Sequence, residues 1–329
     1  MSASTSTLRS TAATLLSADS SPRRSPASGD PLVLGIIGDL VEDVVVWLAE
    51  PLRHGTDTAA EIFHTRGGSG ANVASFAGGL GPTRFIGCVG DDNLGTSLVK
   101  GLEAQGVDVR VQRKHVTGTV IILIDHDGER SMIPNRAAST MLDEVPDEWL
   151  DGLELLHVSA YSFNGAPVGE TVIDVIRRAK QRGILVSIDV SSTGMLAQFG
   201  VDRFLDLMVD LNPDFLIGNE SEMACLGMVV DGHTGAVAAR LANTIIVTKA
   251  GAAPTIVHEP GQTVMEVAVP PVPEVRDLTG AGDAFAAGFL TSYLASRDLQ
   301  KACVGGHASA ALVLASPGAS SGAASKIDE

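Results

Sequence analysis

The chain reads LVLGII over residues 32–37, ANVASFAGGLG over 71–81 and TRFIGCVG over 83–90. The two outer segments are short apolar runs closed by glycine, and the middle one repeats small apolar residues at helical spacing, which is the grammar of a βαβ unit. The alternation continues, with strands expected at 119–124, 155–158, 184–188, 215–217 and 244–247 and helices at 94–105, 170–181 and 284–294. Such a pattern predicts an α/β fold with a mainly parallel sheet, helices on both faces and right-handed crossovers. Two β-rich stretches, 44–65 and 107–133, have no helix between their strands and are expected to form a small separate sheet.

The bulk composition supports this reading. A chain of 329 residues, 45% hydrophobic and 19% charged, suits one large domain with a small appendage, expected over 31–320. Its 36 glycines fit many tight turns, and 4% aromatics leave few rings for stacking on bases. A formal charge of -16 with no basic stripe argues against a nucleic acid or an anionic membrane surface as partner. Cys88, Cys225 and Cys303 lack metal-ligand spacing and read as buried free thiols of a reducing, cytoplasmic protein. No apolar run approaches the ~20 residues of a membrane-spanning helix. Residues 1–30, rich in Ser, Thr and Ala with a few arginines, read as a disordered tail or as an organellar transit peptide, and 321–329 as a second flexible tail.

The chemistry concentrates in Asp277-Leu278-Thr279-Gly280-Ala281-Gly282-Asp283, followed by the helix-compatible run AFAAGFLTSYLA. The glycines allow a tight turn in which successive N–H groups converge, and a following helix adds its positive end, so the segment can form an anion hole. Asp283 then stands where it could take a proton from an attacking hydroxyl; alone, a GxGD turn is equally well a helix cap. Towards the other end, Arg66-Gly67-Gly68-Ser69-Gly70-Ala71-Asn72 pairs glycines that let a ligand approach the main chain with an asparagine that can bind hydroxyls.

The two segments, separated by about two hundred residues, resemble the C-terminal and N-terminal signatures of the ribokinase/PfkB carbohydrate kinase family, D-T-T-G-A-G-D and G-G-x-x-A-N, with Leu278 departing in a variable position. The resemblance covers roughly 32–319. It implies a three-layer α/β/α sandwich with a β-sheet lid formed by the two β-rich stretches. It also implies transfer of the ATP γ-phosphoryl group to a sugar or nucleoside hydroxyl, with Asp283 as base and Gly280, Ala281 and Gly282 as anion hole. Gly67, Gly68 and Asn72 would hold the acceptor together with Asp43 of the Gly38-Asp39-Leu40-Val41-Glu42-Asp43 segment, Asp39 being the alternative carboxylate. Asn219-Glu220-Ser221-Glu222 resembles the family's N-x-x-E motif, which places Asn219 near the phosphates and Glu222 towards Mg²⁺; by itself it is also an acidic helix start. Thr248, Lys249 and Gly251 fall in the nucleotide loop, although Pro254 replaces its later glycine, and His307 falls beside the adenine or in the core. Ser69 stands where many ribokinases carry Lys, and Asp189-Val190-Ser191 where sugar-kinase branches carry Asp-x-Asn, so the sugar is left open. With Trp47 and Phe63 the only rings in the lid stretches, a sugar is favoured over a nucleoside. A monovalent cation such as K⁺ and a homodimer joined through the lid are further expectations of the resemblance.

Overall fold

The computed structural model describes residues 33–230, 233–273, 275 and 278–315. The expected tails at 1–30 and 321–329, and Asp277 of the glycine-rich segment, lie outside the described residues. The first βαβ run is realised as β1 (Val33–Ile37), α1 (Ser69–Gly78) and β4 (Thr83–Val89), with β2 (Val41–Leu48) and β3 (Ala60–Gly67) inserted between β1 and α1. The chain continues through α2 (Asn93–Glu103), β5 (Val107–Arg113), β6 (Thr119–Ile124), β7 (Arg130–Asn135), β8 (Leu153–Ser159), α3 (Val168–Gln181) and β9 (Leu185–Asp189). Then come α4 (Thr193–Phe199), α5 (Val201–Leu211), β10 (Phe215–Asn219), α6 (Glu220–Cys225) and a short hairpin of β11 (Val229–Val230) and β12 (His233–Thr234). β13 (Ile245–Ala250), β14 (Ala253–His258), β15 (Met265–Val267), α7 (Ala281–Ser296) and α8 (Leu299–Leu314) complete it.

Nine strands form the main sheet in the order β15-β14-β13-β10-β9-β8-β1-β4-β5. All neighbours from β13 to β5 are parallel, and β14 and β15 are added antiparallel at one edge. Strand residues alternate between two buried clusters. Leu156, Val158 and Leu216 pack under α3, α4 and α5, and Leu34, Ile36, Phe215 and Ile217 pack under α1, α7 and α8. The result is the expected α/β/α sandwich. The strand order turns back at β1, which has β4 on one side and β8 on the other, and open α/β sheets bind ligands in the crevice outside the strand C-termini at such a point.

The small sheet has the order β3-β2-β6-β7, with β2 and β6 parallel. The expectation that 107–133 belongs to it whole is corrected here, because β5 pairs with β4 in the main sheet. α2 supplies a crossover that makes β4-α2-β5 one more βαβ unit; as an edge strand packed on one face, β5 shows the alternation of an antiparallel strand. The thiols also depart partly from expectation: Cys88 and Cys303 are buried and Cys225 is exposed. Among the described residues no helix is long and apolar enough to cross a membrane.

α7 and α8 pack almost backbone to backbone. A Cβ on Gly288 would lie 2.3 Å from the Gly305 carbonyl oxygen, and one on Gly305 would lie 2.9 Å from that of Gly288. Gly288→Ala should therefore push the helices apart and lower the unfolding free energy by ~1–3 kcal/mol, read as a lower urea midpoint. An unchanged midpoint would show that the helices can separate without cost.

Candidate active site

The C-terminal ends of the parallel strands bring the polar residues together. Asp39 follows β1, Asp189 ends β9, Asn219 ends β10 and Lys249 lies near the end of β13. The start of α7 faces them with Asp283, in the third position of that helix. Gly280 precedes it in the left-handed region, φ 77°, which a glycine adopts without strain. The Ala281 amide turns back to the Leu278 carbonyl at 3.3 Å, whereas those of Gly282 and Asp283 head the helix, where first-turn amides have no intrahelical acceptor.

Asp283 does not cap its own helix. Its carboxylate reaches α1, where Ser69 Oγ donates to Oδ1 at 2.8 Å and Asn72 Nδ2 to Oδ2 at 3.1 Å. Arg66 Nη2 donates to Asn72 Oδ1 at 3.3 Å, which turns the Asn72 amino group towards Asp283. Burial pushes the Asp283 carboxyl up to about 6; the two hydrogen bonds and Lys249 oppose the rise, and Asp189 adds to it.

Gly67 and Gly68 let the chain entering α1 lie directly against Asp43 and Asp39. A Cβ on Gly67 would fall 1.9 Å from Asp43 Oδ1, and Gly68, at φ 96°, lies against the Asp39 carbonyl. Asp43, on β2, points into the same region, and burial raises its carboxyl to about 6, with Arg66 opposing and Glu42 assisting. The alternative carboxylate, Asp39, is held by a guanidinium. Arg136 Nη2 donates to Asp39 Oδ1 at 2.9 Å, Arg136 Nε donates to Oδ2, and Nη1 binds the Asn164 carbonyl. Among the described residues Asp43 has no such partner, which leaves it the more available of the two for hydroxyls.

On the other side, Lys249 Nζ donates to Asp189 Oδ2 at 3.0 Å. Burial alone would lower the ammonium's pKa, but Asp189, Glu222 and Asp283 outweigh it and hold the value above its usual range. Asn219 and Glu222 form a capping box. The Asn219 side chain accepts from the Glu222 amide at 2.9 Å, and Glu222 Oε2 accepts from the Asn219 amide at 2.8 Å. The acidic-helix-start reading is thus met locally, yet the buried Glu222 carboxyl, raised first by burial and then by Asp189, still faces the cluster.

Thr248 is buried and its hydroxyl has no partner among the described residues, and Gly251 lies in the turn of the β13–β14 hairpin. His307 is buried on α8, with Nε2 2.8 Å from Thr255 Oγ1 and the ring tilted against Phe285. Arg136, Asp189 and the hydroxyl of Ser69 are the site residues that motif reading passed over. Nothing near Arg136 in sequence signals its role, and Asp189 and Ser69 stand out in the sequence only as departures from the family's pattern.

A carboxylate held by two donors, a helix end whose first amides have no intrahelical acceptor and a cation beside them can deprotonate a hydroxyl and stabilise an anion. The chain is 28% identical over 261 residues to the ATP-dependent ribose-1-phosphate kinase of Halopiger xanaduensis, covering 78% of this chain and 82% of that one. It is 30% identical over 271 residues to the fructokinase of Klebsiella pneumoniae, covering 79% and 84%. The adenosine kinase structure from Sinorhizobium meliloti superposes with a TM-score of 0.75 at 22% identity, over 88% of this chain and 96% of that one, a likeness of fold. The family model described as pfkB family carbohydrate kinase matches residues 34–326, and the chain belongs to this family of phosphotransferases with an alcohol acceptor.

Proposed function

We propose that the protein transfers the γ-phosphoryl group of ATP to a hydroxyl of a sugar or sugar derivative. The observation that carries this reading is the Asp283 carboxylate, oriented by Ser69 and Asn72 at the amide-bearing start of α7. Asp283 accepts the hydroxyl proton as the acceptor oxygen bonds to phosphorus and the bond to the bridging oxygen breaks, releasing ADP. The amides of Gly282 and Asp283 receive the phosphoryl oxygens. Asp43, with Gly67, Gly68 and Asn72 around it, holds the acceptor. Thr248, Lys249 and Gly251 form the nucleotide side, with His307 behind Thr255.

Glu222, buried among Asp189 and Asn219, offers hard oxygen chemistry that fits Mg²⁺ through water. When bound, the ion would neutralise phosphate charge. A second reading, a nucleoside acceptor, is favoured by Phe63, about half exposed, whose partner Val45 lies on the Asp43 face of the lid. An ATP-consumption screen over pentoses, hexoses, sugar acids, sugar phosphates and nucleosides, run with K⁺ and without, separates the readings. Turnover with nucleosides alone replaces the first by the second. A cytoplasmic location is part of the same proposal; import into an organelle would rest on residues 1–30.

The lid face opposite Asp43 exposes Ile62, Ile121 and Ile133, with Val44 and Val46 half-buried between them. We assign it to a homodimer, so Ile121→Asp should convert a dimer into a monomer in sedimentation velocity. A wild-type monomer at micromolar concentration would remove the assignment.

Asp283→Asn should lower kcat by ~10²–10⁴-fold with MgATP still bound. In the wild type, kcat/KM should fall with acid below about pH 6, where the Asp283 carboxyl takes up its proton. A pH-independent kcat/KM between pH 5 and 8 would remove Asp283 as base.

Asp43 carries a cost of its own. Its carboxyl is raised in the folded state, so the fold binds that proton more tightly than the unfolded chain and loses the benefit as pH rises through about 6. Asp43→Asn should therefore raise Tm at pH 7, with the gain shrinking by pH 5, while acceptor affinity falls about 10- to 150-fold. Scanning calorimetry at both pH values and acceptor titration check the two halves.

A further inference from the structure

Lys249 stands at the meeting point of the strand ends. In sheet order β10 lies between β13 and β9, so the lysine stem crosses a whole strand, about 10 Å between the flanking backbones, to reach Asp189. On its far side the ammonium rests over the first turn of α7: a Cβ built on Gly282 would lie 3.4 Å from Nζ. The pair is largely enclosed, with 15% of the Lys249 side chain and 12% of the Asp189 side chain exposed.

An ammonium has three donors, and the bond to Asp189 engages one of those of Lys249 among the described residues. A pair kept only for stability would be expected to satisfy the rest, since removing two charges from water is costly. The charges around it sharpen the point. Asp189 from β9, Glu222 from α6 and Asp283 from α7 all act on Lys249, and three carboxylates facing a triphosphate would repel it. His157, fully buried with its pKa pushed down to about 4 by burial, and Tyr161, raised chiefly by burial, add no charge near neutral pH. Of the other cations, Arg136 is committed to Asp39, Arg66 is bonded to Asn72 on the acceptor side, and Arg130 is bonded to Thr279 ahead of the turn, whereas Lys249 lies over the first turn of α7 itself.

We propose that Lys249 is a catalytic residue whose ammonium donates to the oxygens of the phosphoryl group in transfer, and that Asp189 is a positioning residue that holds it over Gly282. This rests on the kinase reading above. The acceptor oxygen–phosphorus bond forms, the bond from phosphorus to the bridging oxygen breaks with its electron pair leaving on ADP, and the acceptor proton goes to Asp283. Lys249 keeps all its protons and supplies only charge and hydrogen bonds, which grow stronger as negative charge collects beside it.

The test compares nucleotides that differ at the γ-position. In Lys249→Met, kcat should fall by at least ~100-fold, and calorimetry should show MgAMP-PNP weakened about tenfold with MgADP changed less than about twofold. Asp189→Asn, which loosens the ammonium without removing it, should lower kcat about tenfold and leave MgADP alone. Because Lys249→Met strands a buried carboxylate, Asp189→Asn/Lys249→Met serves as the better-folding partner and should be as slow as Lys249→Met. Equal weakening of MgADP and MgAMP-PNP would make Lys249 an ordinary nucleotide contact and overturn the proposal. So would kcat within about fivefold of wild type in Lys249→Met or in the double variant. A wild type that turns over no acceptor would instead remove the kinase reading, and the AMP-PNP to ADP contrast would still decide whether Lys249 meets the terminal phosphoryl group.

Discussion

The site depends on one contact between main chains. A Cβ on Gly38, just past β1, would lie 3.0 Å from the Gly70 Cα, and one on Gly70 would lie 2.9 Å from the Gly38 Cα. No side chain fits between the end of the central strand and the start of α1. Because of that closeness, the loop entering the lid and the helix carrying Ser69 and Asn72 share one wall, and Asp283 of α7 can be bonded from α1 across 211 residues of sequence. A larger residue at either glycine would separate the loop entering the small sheet from α1 before it altered any polar group.

The electrostatics follow from the same crowding. Burial raises Asp43, Glu222 and Asp283 together, and each carboxylate is kept usable by a different neighbour: Arg66 for the first, Asn219 for the second, Ser69 and Asn72 for the third. Their charges do not cancel locally. Each of these raised carboxyls therefore gains from any positive charge brought beside it.

What could be read from the sequence was whatever is local. The βαβ rhythm, the glycine pair at 67–68 and the turn before α7 are written in adjacent residues, and the structure has each of them where the pattern puts it. Partners chosen by strand order were not legible. Arg136 finds Asp39 across 97 positions and Lys249 finds Asp189 across 60, and both pairings follow from which strands are neighbours or once removed. β5 departs from expectation for the related reason that alternation reports one buried face without saying which sheet supplies it. His307 shows the limit from the other side: its position suited either adenine or core, and its bond to Thr255 and its burial are tertiary facts.

The Arg136–Asp39 pair joins residues that lie where the backbone leaves the main sheet for the lid and where it returns. With the β3–α1 and β5–β6 connections, the chain passes between the two sheets four times. A flap tethered once can wander and must be ordered anew at every turnover; a plate tethered four times, with its outermost tethers pinned by a charged pair, can only tilt. Movement of the small sheet against the large one would then be a tilt of low entropic cost, and the gap between the two sheets would keep nearly one shape.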